Sequence, residues 1–352
     1  MKKTERVGGI APKFLRSVNF VKFLMLALAV VFVACSKDDD DEGSTLEFLE
    51  GSPRFDAPVY AMVGDTITLT ASGVTTEGVK YIWAFDDLDS ITVIGADEST
   101  IKLRIPDSLA TYPLTVTADA GDEYYNSVYN SEVTSVNQES LQGIVAAGKA
   151  IVDPRDFKAY GYVKIGNLDW FTQNLDWEGA GYGYGKSKAA AYIFGRLYTW
   201  EDATGGVSAS GLGAGVQGVC PDGWSIPTKE DWEDLGAAIN GGEPVSFEDN
   251  WKGVAGKLMA QAYFNGEKVW PYSPDFEPTN DYGWNALAAG SCTMNYTQYT
   301  NIFRYGFWWS GSERDSNNAY YRYIFCEQPN VSVSYSSKNG MAASVRCVRL
   351  AE

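Results

Sequence analysis

No stretch constrains the fold of this chain more than Cys220-Pro221-Asp222-Gly223-Trp224-Ser225-Ile226-Pro227-Thr228-Lys229-Glu230-Asp231-Trp232. It holds, in order, a cysteine, a Pro/Gly turn, a large aromatic residue and a helix start. Thr228 suits an N-cap, and Asp231 three residues later offers the return bond of a capping box. Pro227 lies just outside the helix, where its missing N–H costs nothing. Trp232, Leu235 and Ile239 follow at i, i+3 and i+7, one apolar face of a short helix from Thr228 to Ile239.

The 352 residues include five cysteines and no histidine. Without histidine, Ser-His-Asp and Cys-His catalysis and His-ligated zinc are ruled out. Cys35 has a separate explanation, given below. Cys220, Cys292, Cys326 and Cys347 are an even set, which in an exported chain reads as two disulfides with three possible pairings. The formal charge is −17; without residues 1–34, which carry six basic residues and one Glu, 22 basic face 44 acidic residues, a net −22. Such a surface repels phosphate backbones and argues against nucleic acid as a partner.

Residues 1–34 read as an export leader. Lys2, Lys3, Arg6, Lys13, Arg16 and Lys22 precede an apolar run from Phe23 to Ala34, which is too short to span a membrane. The run ends Phe32-Val33-Ala34-Cys35, which resembles a bacterial lipobox. That resemblance implies that Cys35 is lipidated and begins the mature chain. Residues 35–45, with the run Asp38 to Glu42, read as a solvated acidic tether. They also resemble the export signal of Bacteroides-type surface lipoproteins. This implies an outer-membrane lipid anchor with the protein facing outward; a periplasm-facing lipoprotein is the alternative.

Residues 46–137 alternate polar and apolar in Asp65 to Ala71, Ile101 to Ile105 and Leu114 to Ala118, with a further strand from Val79 to Phe85. Turn signals separate them, the pattern of a β-sandwich. The module resembles an immunoglobulin-like or PKD-like spacer with Trp83 in its core. Residues 138–150 lack alternation, contain Gly143 and Gly148, and read as a linker.

From residue 151 to 352 several separated motifs occur in order. They are Asp153 to Asp156, Tyr162 to Trp170, Gln173 to Leu175, Gly195 to Ala203, Cys220 to Trp232, Ala255 to Leu258, Gly283 to Gly290, Trp308 to Glu313, Ala319 to Arg322 and Ser344 to Arg349. Together they resemble the Fibrobacter succinogenes major paralogous domain. Ser225 departs from the pattern, since the family usually has His there. The family is similar to C-type-lectin-like folds. The expected architecture is thus an immunoglobulin-like β-sandwich followed by an α+β, C-type-lectin-like domain with short helices, a small antiparallel sheet and long loops. A second helix is expected from Gly253 to Ala262. In lectin-like folds the terminal strand is clamped to an earlier segment, which implies Cys220–Cys347 and leaves Cys292–Cys326.

Trp170, Trp224, Trp232, Trp284, Trp308 and Trp309 are read first as core, with Trp308 or Trp309 half-exposed because adjacent strand residues face opposite ways. The segment from Ser291 to Gly340 mixes Tyr296, Tyr299, Tyr305, Tyr320, Tyr321, Tyr323 and Tyr335 with Asn295, Asn301, Asn317, Asn318, Asn330 and Asn339. Tyr with Ser and Asn is the composition of antibody paratopes. It also resembles the variable face of lectin-like scaffolds diversified by retroelements. A plain polar, turn-rich β segment would look similar. The nominated ligand contacts are Tyr296, Tyr299, Trp309, Asn317, Asn318, Tyr321, Tyr323, Asn330 and Tyr335. The ligand class is an extracellular glycan or protein, in an adhesion-type role. Glu327-Gln328-Pro329-Asn330 is reminiscent of lectin sugar motifs but lacks a following Trp-Asn-Asp, and is read as coincidence.

No cofactor is expected. Calcium is the one metal the acidic clusters allow, at Asp86, Asp87 and Asp89 or at Asp275, Glu277 and Asp281. Paired carboxylates in the second cluster also leave open a glycan hydrolase. A third alternative is a subunit of a surface appendage.

Overall fold

The structure is a computed structural model that describes residues 45–85, 92–96, 99–271, 276–293 and 295–352. Cys35, Asp86, Asp87, Asp89 and Asp275 lie outside the described residues, as does the whole leader. Among the described residues no helix is long and apolar enough to cross a membrane.

The chain is β-rich with a few short helices. The N-terminal region contains a sheet in the order Tyr60–Met62, Ser127–Val136, Thr111–Asp119, Lys80–Phe85, and another in the order Thr66–Thr70, Thr100–Arg104, Thr92–Ala96. Period-two alternation sends Tyr112, Leu114, Val116 and Ala118 inward. Of these, Tyr112, Leu114 and Val116 meet Leu69, Ile101, Leu103 and Val133 in a single core. Trp83 is half-buried and tilts against Phe55, with ring centroids 5.0 Å apart.

The segment read as a linker carries structure. Leu141–Gln142 pairs with Tyr263–Phe264, and Lys149–Val152 pairs with Ala159–Ile165. Ser187 donates to the Tyr60 carbonyl at 2.5 Å while its hydroxyl also caps the Lys188–Phe194 helix. Tyr60 packs edge-on against Phe264. Tyr60 and Val136 therefore belong to the same core as Phe194 and Phe264, and the two regions share apolar contacts across the junction.

The C-terminal region holds a four-stranded antiparallel sheet, in the order Lys149–Val152, Ala159–Ile165, Leu168–Phe171, Val348–Leu350. Beside it is a seven-stranded sheet. Its order is Tyr198–Thr199, Met341–Ala343, Ala289–Thr293, Tyr305–Glu313, Asn318–Phe325, Val331–Ser337, with Gln298–Ile302 paired to Ala289–Thr293. Gly290 sits at φ 70° where this sheet switches to a parallel bridge with Gly306, and a Cβ there would lie 2.5 Å from the Thr300 carbonyl oxygen. Only glycine fits that position.

At Trp308 and Trp309 both faces of the larger sheet are covered. Trp308 faces a core with Trp170, Trp232 and Trp284, and Trp309 faces one with Tyr198, Trp200 and Trp224. Neither Trp308 nor Trp309 is half-exposed, and this corrects the sequence expectation: alternation does turn them to opposite sides, but each side is a core.

The helix Lys229–Ile239 forms as the sequence predicts. Thr228 accepts from the Asp231 N–H and the Asp231 carboxylate accepts from the Thr228 N–H, a complete capping box. The Thr228 hydroxyl also donates to the Gly211 carbonyl at 3.0 Å. Thr228→Ala is expected to cost about 1–2 kcal/mol in urea unfolding, and Thr228→Ser to restore most of it. The expected second helix reduces to a 3-10 turn, Ala255–Lys257. Gly253 at φ 74° blocks its start, and Met259 pairs with Ala286 as an isolated bridge at its end.

Cys220 and Cys347 form a disulfide, as the family resemblance implies. The Cys292–Cys326 bridge does not form, and both are buried thiols. Cys292 packs with Leu197 and Ala342, whereas Cys326 lies in the tryptophan core with Ile324 and Val331. The residual pairing failed because the two residues belong to different cores.

Candidate ligand-binding face

The Tyr305–Glu313, Asn318–Phe325 and Val331–Ser337 strands place a row of aromatics on a shared face. Register pairs Tyr305 with Phe325, Phe307 with Tyr323 and Trp309 with Tyr321. The next strand sets Ser332 opposite Tyr323, Ser334 opposite Tyr321 and Ser336 opposite Ala319. Side chains on one face of adjacent strands are neighbours, so the result is an aromatic band edged by serines.

The band is graded in burial. Trp309 and Ala319 are fully covered, Phe307 is nearly so, and Tyr305, Tyr321, Tyr323 and Phe325 are half-exposed. Tyr305 stacks on Phe307 at 5.3 Å and on Phe325 at 4.4 Å, with planes 5° and 10° apart. Phe307 meets Tyr321 edge-on at 5.6 Å, and Tyr321 tilts against Tyr323 at 6.0 Å. Burial pushes the Tyr305 and Tyr321 hydroxyls above their ordinary pKa, although a hydrogen bond with Ser334 pulls Tyr321 back. These phenols stay protonated at neutral pH and can both donate and accept. At the rim Arg304 pairs with Glu327 at 2.9 Å and stands 5.6 Å from the Phe325 ring.

The nominated contacts divide sharply. Tyr321 and Tyr323 belong to this face. Trp309 does not offer itself to a ligand, because it is fully buried and its indole N–H donates to the Tyr198 carbonyl at 2.8 Å. Tyr296 spends its hydroxyl inside the protein, donating to Asp202 at 2.6 Å and accepting from the Thr199 N–H. Tyr299 packs edge-on against Tyr184 beside Cys292. Asn318 is tied to the Asp315 carboxylate, which also accepts from the backbone N–H of Asn317. Asn330 accepts from the Gly253 N–H. Tyr335 is exposed on the opposite face, with the Arg314 guanidinium 3.4 Å from its ring centroid.

Phe307 and Phe325 were missed. The signal was the period-two spacing of Tyr305, Phe307 and Trp309 and of Tyr321, Tyr323 and Phe325.

Of the acidic cluster, Glu277 lines a cleft of about 630 Å³ with Tyr263, Lys268 and Trp270, while Asp281 is exposed outside that lining. Among the described residues no group of three or more acidic or cysteine side chains could hold a metal ion.

A β-rich module clamped by one disulfide, with a half-exposed aromatic band on one face of its larger sheet, is the class this fold defines. Residues 163–349 match the profile of the Fibrobacter succinogenes major domain, and the chain belongs to that family. No curated protein matches it. Among solved structures, it is similar to a nucleoside hydrolase-related hypothetical protein from Saccharophagus degradans that is associated with carbohydrate metabolism. The identity is 18%, coverage is 26% of this chain and 22% of that one, and the TM-score is 0.18. It is also similar to the adhesin InvE of Yersinia pseudotuberculosis, at 9% identity over 86% of this chain and 70% of that one, with a TM-score of 0.23. At these scores neither likeness carries an argument about this chain.

Proposed function

We propose that the chain is a lipid-anchored protein on the outward side of the outer membrane, with an adhesion-type rather than enzymatic role. In this reading an immunoglobulin-like sandwich carries a C-type-lectin-like domain. The domain holds an extracellular glycan or protein on the face of Tyr305, Tyr321, Tyr323 and Phe325. The observation that carries the reading is that aromatic band: four half-exposed rings gathered on one face of the sheet and edged by the serines of the neighbouring strand. Rigid rings with polar tips give contact area at little entropy cost, as binding surfaces require.

Glycan and extracellular-matrix protein arrays, probed with the mature protein in calcium and in chelator, test the proposal. Tyr323→Ala and Tyr305→Ala are each expected to weaken the ligand found by about tenfold or more, the loss typical of a central aromatic contact. Binding that both variants leave untouched, or glycan turnover abolished by Asp281→Asn, would sink it.

A further inference from the structure

We propose a second binding site, for one neutral sugar unit, in the cleft between the 138–144 segment and the Lys158–Asp176 pair. It is separate from the aromatic face and does not depend on it. The cleft holds about 450 Å³ and draws its walls from five stretches of chain. That is within the usual size of a small-molecule site. Leu141, Ile144, Ile193 and Leu287 supply apolar wall, while Thr172, Gln173, Lys158 and Asp176 supply polar groups. Ile144 is 37% exposed and Tyr192, at the mouth, 54% exposed, so apolar surface at the rim stands open to solvent.

Charge excludes an anion. Lys158 Nζ lies 2.6 Å from Asp176 Oδ2 and 2.6 Å from the Asp176 carbonyl oxygen. Arg196 Nε lies 3.0 Å from Asp176 Oδ1, and Arg196 also reaches Glu178 at 3.2 Å. Asp156 stands 3.8 Å from Lys158. Two cations thus face three carboxylates, all within one network. No positive charge is left over for an anion, and both cations are already held. What remains on offer is the Thr172 hydroxyl and the Gln173 side-chain amide, whose nitrogen also donates to the Ala159 carbonyl at 3.2 Å, beside an apolar wall with a tyrosine ring at the entrance. A pyranose, with hydroxyl edges and a C–H face, matches that combination. The 138–144 wall joins the two regions of the chain, so an occupant would also brace that junction.

The test uses the mature protein and a panel of glucose, galactose, mannose and N-acetylglucosamine, followed by saturation-transfer NMR and amide exchange. At least one sugar is expected to bind with a millimolar Kd and to slow exchange across residues 138–145. Ala159→Trp, which fills the mouth from an exposed strand position, is expected to weaken it at least tenfold. Tyr192→Ala, on the exposed side of its helix, should do the same and decides the matter if Ala159→Trp does not fold. Tyr323→Ala should leave this binding unchanged, which separates this site from the aromatic face. The proposal fails if no sugar binds below about 10 mM. It also fails if a properly folded Ala159→Trp protein or the Tyr192→Ala protein binds as wild type does, if simple amines bind instead, or if Tyr323→Ala abolishes the signal.

Discussion

Arg346→Met is expected to destabilise the C-terminal module by about 4 kcal/mol or more, a large share of the roughly 5–15 kcal/mol available to a folded domain. Arg346 is fully buried. Its guanidinium donates to Asn174 Oδ1 at 2.7 Å, to the Phe171 carbonyl at 3.0 Å, to the Asn285 carbonyl at 2.8 Å and to the Trp284 carbonyl, and it lies 4.2 Å from the centroid of the Trp284 ring. Two effects oppose each other. Burial disfavours the cation and drives its pKa well down, so an apolar replacement recovers that desolvation cost. Against this, methionine takes a donor away from four acceptors; Asn174 Oδ1 keeps the Trp308 indole N–H at 2.9 Å, but the other three, left buried without a partner, cost about 1–3 kcal/mol each. The second effect wins because three of the acceptors are main-chain carbonyls in packed segments and cannot turn to water. Arg346→Lys should recover only a fraction of the loss, since one ammonium has three protons and no planar fork. Guanidinium unfolding midpoints check this; an Arg346→Met protein within about 1 kcal/mol of wild type would refute the account.

The second large effect belongs to the Cys220–Cys347 bridge. It closes a loop with a sequence separation of 127 residues. On the chain-entropy account a loop of that length is worth about 5 kcal/mol at room temperature. The Cys220→Ser, Cys347→Ser double variant should therefore show a much lower midpoint, and the wild-type protein should match it in reductant. Cys292→Ser and Cys326→Ser should show no such convergence with reductant. Alkylation of the denatured, unreduced protein should modify Cys292 and Cys326 and spare Cys220 and Cys347. Protection of Cys292 would overturn the connectivity.

Much of this architecture was legible because the signals were local. Thr228 and Asp231 define a capping box within four residues, and Leu114 to Ala118 announces its strand by alternation alone. The family motifs carried the Cys220–Cys347 clamp. What failed depended on what lies across from a residue. Trp309 follows the alternation rule, yet nothing in its neighbours reveals that Trp200, Trp224 and the disulfide cover that side. Composition marked Tyr296, Asn318 and Asn330 as adaptable binding groups, but Asp202 and Asp315 hold the first two and the Asn330 side-chain oxygen already accepts from the Gly253 N–H. Spacing sets Phe307 beside Tyr305 and Phe325 beside Tyr323 within each strand, but only register brings the two rows together. Gly253 to Ala262 carries apolar residues at helical spacing, but its pairing to Ala286 is non-local and overrides the pattern.

The segment from Ser344 to Leu350 threads between the two sheets of the C-terminal region. The Ser344 carbonyl accepts from the Trp309 N–H, the Val345 and Cys347 carbonyls accept from Leu175 and Phe171, and Val348 exchanges bonds with Ser225. During synthesis this segment emerges after every other strand and helix of the module. Until it does, Cys220 has no mate and the carbonyls of Phe171, Trp284 and Asn285 await their donor. A chain stopped before Ser344 is therefore expected to lack the disulfide and every bond that Arg346 donates, leaving the two tryptophan cores without the stretch that ties them together.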